Sequence, residues 1–237
     1  MKLNAAQLEE LRQFDSPTVS NAIQRFGLRA KTEGFMRSEI RAALKPERPF
    51  VGYAVTAKIR ASSVPTDEQK ELSYRYYEHV RSAEGPTIAV IEDLDPDPVG
   101  SFWGEVQVST HLALGCIGVI TSGGVRDLDE VAALGFGYLA RCLLVSHANV
   151  HIEAAACPVT VGGLVVRPGD LLFADQHGAL LIPDGAAAEL ADACRAVQKA
   201  EEPMLQRLRE RIASGARPTI EELRAWRTEM VRRRDSR

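Results

Sequence analysis

Residues 115–130, GCIGVITSGGVRDLDE, hold the densest chemical signal in the chain: an apolar run, a double glycine, then an arginine and an aspartate side by side. A guanidinium grips a carboxylate through two parallel hydrogen bonds, and an adjacent carboxylate oxygen suits a hard divalent cation. Arg126 and Asp127 together describe a site for an anionic, metal-chelating small molecule. The plainer reading is that Asp127 N-caps a helix over Leu128–Leu134 and Arg126 is a solvated charge, since Asp is a favoured cap. A second glycine-bounded loop, Gly100–Gly104, runs into a helix that opens with Glu105, Val106 and Gln107. Amides at a helix N-terminus attract an anion, and Glu105 adds a second carboxylate near Asp127. Neither loop has the GxGxxG spacing of a dinucleotide site or the Walker spacing of a P-loop.

Both loops follow a buried strand and precede a helix. Pro86–Glu92 and Cys116–Ile120 read as covered strands, and Glu105–Leu114 and Leu128–Leu134 as the helices after them. Two consecutive crossover units require a parallel sheet with covered faces, and ligands of such sheets bind at the carboxyl ends of the strands. Gly123–Gly124 is expected to turn sharply or to allow close approach to a ligand. Residues 50–60 alternate apolar and polar, which predicts a half-buried strand.

Helices are expected from Asn4 to about Phe14, from Ser16-Pro17 to about Gly27, and over Glu68–Ala83. After Gly135 short strands predict a compact β layer: Tyr138–Cys142, Pro158–Val161, Leu164–Val166, Asp170–Ala174 and Ala179–Ile182, with a hairpin at Gly162-Gly163. A helix capped by Asp184 and a last one opened by Thr219 and Glu222 complete the chain; the latter carries the stripe Ile220, Leu223, Trp226 and Met230.

The 237 residues, 45% hydrophobic and 26% charged, suit one large domain. A net charge of −3 argues against an electrostatic nucleic-acid binder, although Arg232–Arg234 with Arg237 form a basic tail. Cys116, Cys142, Cys157 and Cys194 lack CxxC spacing and read as buried thiols in a reducing compartment. The first residues, MKLNAAQLEELRQF, do not read as a signal peptide, and no apolar run approaches the ~18 residues of a membrane helix. A cytoplasmic location is expected.

Three segments, GSFWGE (100–105), GCIGVITSGGVRDLDE (115–130) and PVTVGGLVVRPGDLLFADQHGALLIP (158–183), resemble the RraA-like family. That family comprises the class II 4-hydroxy-4-methyl-2-oxoglutarate and 4-carboxy-4-hydroxy-2-oxoadipate aldolases together with the ribonuclease E regulator. The resemblance covers roughly residues 15–202. It implies an α/β sandwich related to swivelling phosphohistidine domains, with a central sheet and helical N- and C-terminal extensions. Residues 1–237 would form a single RraA-like domain, with 203–237 a helical C-terminal extension. It further implies a metal-dependent lyase that cleaves a 4-hydroxy-2-oxo acid to pyruvate and a second oxo compound, with oxaloacetate decarboxylation passing through the same enolate. Asp127 would be the direct ligand of Mg²⁺ or Mn²⁺, Arg126 would bind the keto-acid end, and the amides of Gly104–Gln107 would face the same pyruvyl group. Glu105 would orient a water, and Glu201, with Glu202 as the alternative, would act in the outer sphere. Members assemble as homotrimers or hexamers with interfacial sites, so that glutamate would come from a neighbouring chain. The chain departs from the family at Ser122, Gly123 and Gly124 before the Val-Arg-Asp, and at Asn21-Ala22.

Three competing readings follow. Lys58 would serve a Schiff-base aldolase, against a solvated or salt-bridged lysine on the polar strand face. His147, His151 and His177 invite a zinc or phosphohistidine reading, against ordinary hydrogen-bonded histidines. A non-enzymatic regulator binding an RNA-degradation nuclease would share the fold, because fold does not settle function.

Overall fold

The computed structural model describes residues 2–235. Arg237 of the basic tail lies outside the described residues. In chain order the elements are α1 (Ala5–Leu11), α2 (Ser16–Gln24), β1 (Arg41–Leu44), β2 (Phe50–Arg60), α3 (Asp67–Ser82), β3 (Thr87–Asp93), α4 (Glu105–Ala113), β4 (Cys116–Val125) and α5 (Leu128–Leu134). There follow β5 (Gly137–Leu143), β6 (His151–Ala155), β7 (Val159–Val161), β8 (Leu164–Val166), β9 (Leu171–Asp175), β10 (Gly178–Leu181), α6 (Asp184–Ala187), α7 (Leu190–Ser214) and α8 (Ile220–Asp235).

Local chemistry sets several starts. Asn4 with Gln7 and Thr66 with Gln69 form reciprocal capping boxes that satisfy amides the first helical turn leaves open. The cap of α2 is Asp15 rather than Ser16. Ser16 instead gives its N–H and hydroxyl to the buried Asp175 carboxylate, at 2.7 and 2.8 Å, and so ties α2 to the end of β9. Near the C-terminus Pro183, not Asp184, holds the cap position, and a break separates α6 from the long α7.

The central sheet runs β1-β5-β4-β3-β2-β9-β10, with β6 also paired to β2. β2, β3, β4 and β5 are mutually parallel, and α3, α4 and α5 are their crossovers. The strands after Gly135 do not form a layer of their own. β5 continues the parallel set beside β4, and β9 and β10 extend the same sheet antiparallel to β2; the β7–β8 hairpin stands apart. Gly162 and Gly163 turn that hairpin at positive φ, 55° and 74°.

β2 is buried on both faces from Phe50 to Ala57, not half-buried. One face, with Val55, Ala57 and Ile59, packs with Tyr76, Ile91, Val108 and Val131; the other, with Phe50 and Ala54, packs with Val90, Ile120, Val159 and Val161. Thr56 is tolerated there because its hydroxyl donates to the Cys157 carbonyl at 2.6 Å. A third cluster joins Leu8, Leu11, Val19 and Ile23 to Phe173, Leu190 and Val197. Each fully buried aliphatic side chain contributes about 1.5–3 kcal/mol. Among the described residues no helix is long and apolar enough to cross a membrane.

Candidate active site at the carboxyl edge of the parallel strands

β4 does not turn at the double glycine; the strand continues through Gly123 and Gly124 to Val125. The glycines serve close approach instead. A Cβ on Gly123 would lie 2.8 Å from Asp93 Oδ2, and one on Gly124 would lie 2.4 Å from the Leu144 side chain. The turn comes later, at Asp127, whose φ and ψ of 55° and 50° are left-handed. Among non-glycine residues Asp and Asn adopt that region most readily, because the short polar side chain bonds locally. The backbone leading into it is held firmly: Arg126 N–H donates to the Trp103 carbonyl at 3.1 Å, and the Tyr138 hydroxyl donates to the Arg126 carbonyl at 3.0 Å.

Asp127 occupies the N-cap position of α5, yet its side chain makes no bond to that helix. Its Oδ2 accepts the Glu105 N–H at 3.0 Å, so the carboxylate caps α4, where Gly104 has no side chain to do so. Gly104 is required by this contact, since an added Cβ would sit 2.4 Å from Asp127 Oδ2. Arg126 Nε lies 3.9 Å from Asp127 Oδ1, close enough for attraction but too far for a hydrogen bond. That nitrogen is buried and has no acceptor. A desolvated, unpaired donor costs about 1–3 kcal/mol until an acceptor arrives.

Gly104, Val106, Gln107, Arg126 and Asp127 line one cleft of about 230 Å³. Sequence reasoning thus named five residues that the fold brings together. The Glu105 side chain is exposed and lies outside the cleft wall, and its amide, expected to face a ligand, is taken by Asp127. The first-turn amides of Val106 and Gln107 have no intrahelical acceptor. Glu201 is elsewhere within the chain, in an apolar groove with Met204, Leu205, Leu208, Arg227 and Met230; Glu202 pairs with Arg209 at 2.7 Å. Lys58 is ion-paired to Glu92 at 3.0 Å.

The histidines divide. His177 sits against Asp175, and His151 is buried with Nδ1 2.8 Å from the Asn149 carbonyl. His147, in contrast, joins the cleft wall with Ser101, Phe102 and Val150. Its Nδ1 lies 2.7 Å from the Ala148 carbonyl, which leaves the Nε2 lone pair unused. Its position just past the end of β5, at the edge shared by the other loops, is the signal that could have found it. Asp93, at the end of β3, is a buried carboxyl packed against Gly123 of β4. Burial raises its pKa to about 6, and its Oδ2 has no partner. Among the described residues no group of three or more His, Cys, Asp or Glu side chains could hold a metal by itself.

A family model described as Aldolase/RraA matches residues 16–181. The chain belongs to the Aldolase/RraA family. The match contains both site loops and the segment around Asp175. Among curated relatives, Protein DlpA of Legionella pneumophila is 28% identical over 52% of this chain and 19% of its own length. A Halalkalibacterium halodurans protein named "Putative 4-hydroxy-4-methyl-2-oxoglutarate aldolase" is 28% identical over 42% of this chain and 48% of its own. The chain thus spans half or less of these two relatives. Among solved structures, Streptomyces coelicolor RraAS2, titled an unusual member of the RNase ES inhibitor RraA protein family, superposes with a TM-score of 0.67 at 21% identity, over 85% of this chain and 96% of its own. The architecture is therefore the RraA fold.

Proposed function

We propose that the cleft binds the 2-oxo acid end of a 4-hydroxy-2-oxo acid, and that the chain is a lyase releasing pyruvate and a second oxo compound with Mg²⁺ or Mn²⁺. One observation carries this reading: a buried Arg126 Nε without an acceptor stands beside an Asp127 carboxylate turned away from its own helix. Asp127 fits a hard cation. Its Oδ1 has no hydrogen-bond partner, and a single carboxylate with water and substrate oxygens is the usual Mg²⁺ shell. When bound, such a cation supplies Lewis-acid stabilisation of negative charge on the 2-oxo oxygen.

The chain's own residues supply the rest. Arg126 pairs with the substrate carboxylate, and the free amides at the α4 N-terminus favour negative charge beside it. Cleavage begins with loss of the C4 hydroxyl proton. The C3–C4 bond then breaks to form the new carbonyl, and its electron pair passes to C3 and the 2-oxo oxygen as the pyruvate enolate, which is protonated at C3. His147 in the cleft wall is a base at hand for the first proton, and a water held by the exposed Glu105 carboxylate beside Gly104 is the alternative. Oxaloacetate would lose CO₂ to the same enolate, so one cleft accommodates both reactions.

Assembly belongs to the same reading. Val106, in the cleft wall, is 78% exposed, and Val145, two residues before the cleft-lining His147, is 95% exposed; a second copy of the chain in a trimer or hexamer would cover them. A neighbour's Glu201 could then approach the site that the chain's own Glu201 does not reach. The relative named as an aldolase and the cleft chemistry favour the lyase over a purely regulatory protein.

The test is Mg²⁺-dependent pyruvate release from 4-hydroxy-2-oxo acids and oxaloacetate. EDTA should abolish it, Arg126→Ala should lower kcat/KM by roughly 100-fold or more, and borohydride with pyruvate should trap no adduct. Turnover that survives both EDTA and Arg126→Ala rejects the reading.

A further inference from the structure

The amino ends of the parallel strands, opposite the candidate active site, hold a second cavity of about 470 Å³, about twice the volume of the cleft. Phe50 and Phe136 give it an apolar floor, on which Leu44, Leu112 and Ile117 remain partly exposed. Ile117 lies at the start of β4 and Gly137 opens β5, while Leu112 and Gly135 lie at the ends of α4 and α5. The elements that carry Gly104–Gln107, Arg126 and Asp127 at one end thus line this cavity at the other. At a strand's rise per residue Ile117 and Arg126 are roughly 25–30 Å apart, so the two spaces are separate. The rim is the loop 45–49 between β1 and β2, stiffened by Pro46 and Pro49. Lys45, Arg48 and Arg12, the last from the end of α1, bring three cations to it, and Glu47 one anion. Arg12 Nε donates to the Pro49 carbonyl at 2.9 Å, and Arg12 and Arg48 both pair with Glu9. Lys45 has no ion-pair partner among the described residues. With Glu9 and Glu47 set against the three cations, the rim keeps one positive charge.

We propose that this cavity binds a small amphipathic monocarboxylate, with the acid group at Lys45 and the apolar body over Leu112 and Ile117. Its volume lies within the roughly 300–1,000 Å³ of small-molecule sites, and an apolar lining with a few placed polar groups is their usual make-up. One surplus positive charge matches a single carboxylate. A dianion would exceed that charge, and a bare inorganic anion would leave the apolar floor in water. The carboxyl ends of α4 and α5 carry partial negative charge, which keeps an anion away from Leu112 and Gly135 and directs it to the loop. The loop is also pre-set: two prolines and the Arg12 bond to Pro49 hold it, so little ordering is needed when a ligand arrives. The site stands apart from the lyase reading, because none of its residues lines the cleft.

The experiment titrates the full chain by calorimetry with 4-phenylbutyrate, with 4-phenylbutyramide as its neutral counterpart and inorganic phosphate as an anion without an apolar body. The carboxylate binds, the amide binds about fivefold more weakly, and phosphate does not displace the carboxylate. Reversing the exposed charge with Lys45→Glu weakens 4-phenylbutyrate by roughly 5- to 20-fold. Ala132→Trp, made on an exposed position of α5 in the cavity wall, fills the space and removes binding while the urea midpoint stays near the wild-type value. Arg126→Ala leaves the affinity within about twofold, since distant sites act independently. Equal affinity for acid and amide, no binding of either, or binding lost in Arg126→Ala but kept in Lys45→Glu overturns the assignment. So does a cross-link from Lys45 to a second copy of the chain in a sample that binds no carboxylate, which makes the cavity a subunit interface. Pyruvate release enters none of these readouts, so failure here leaves the lyase reading standing.

Discussion

Asp127 carries two separable duties, and two substitutions tell them apart. Its charge faces the cleft, while its Oδ2 caps α4 through the Glu105 amide. Asp127→Asn keeps an acceptor oxygen and tolerates left-handed backbone, so it should unfold at nearly the wild-type urea concentration while losing the proposed pyruvate release. Asp127→Ala loses the cap as well and should cost a further ~1 kcal/mol of stability. Equal stability of the two variants would show that the cap contributes nothing. Asp93 gives a pH prediction. Burial raises its folded pKa to about 6 from an unfolded value near 3.8, so the native state binds its proton more tightly. That stabilisation is complete below the unfolded value and is lost as pH rises through about 6. Asp93→Asn should therefore raise Tm at pH 8 and change it little at pH 4; the opposite pattern in thermal melts would contradict the buried carboxyl. At this scale Arg126, Asp127 and the helix opening at Glu105 were legible because their types are chemically specific. His147 was named only as one of three candidate histidines, although its place just past β5 could have set it apart, and Asp93 was missed because nothing in its sequence surroundings marks it as buried.

Elements were legible where one physical signal dominated. The crossovers β3-α4-β4-α5 followed from apolar runs punctuated by glycine, and Asn4 marked the start of the first helix as its cap. β1 (RAAL) and β6 (HIEAA) carry neither strong alternation nor β-branched enrichment, and both are placed by pairing with distant strands. The double glycine left two readings open, because glycine permits a turn and a close approach equally well; the strand takes close approach, to Asp93 and Leu144 rather than to a ligand. Another close approach supports a stability prediction. Phe50, entering β2, lies over Gly118 of β4 and Gly137 of β5, where added Cβ atoms would come within 2.7 and 2.6 Å of its ring. Gly137→Ala should destabilise by about 1–3 kcal/mol through overpacking, read as a lower urea midpoint at unchanged slope. The companion Gly137→Ala, Phe50→Leu should recover part of that loss, since the ring is the obstacle.

For the whole molecule, the family and the α/β fold follow from the sequence match and the architecture, whereas assembly depends on surfaces that no periodicity encodes. If the rim valines meet a second copy, light scattering should give about three or six times the 25.9 kDa chain mass. Val106→Asp with Val145→Asp should then lower the mass and the turnover together; a monomeric wild type removes interfacial completion of the site. Proline 203 lies within α7, where it has no amide to give the carbonyl four residues back. All the buried residues of that helix, Leu190 to Ala200, precede it, and the part beyond leans on α8 through pairs such as Arg207–Glu229. The helix is thus two rods spliced at one joint, the first anchored in the core and the second ion-paired to its companion. Deuterium uptake should divide at that splice, slow through residue 200 and faster from 204 onward, and a protease nick there should leave the central sheet and its cores standing.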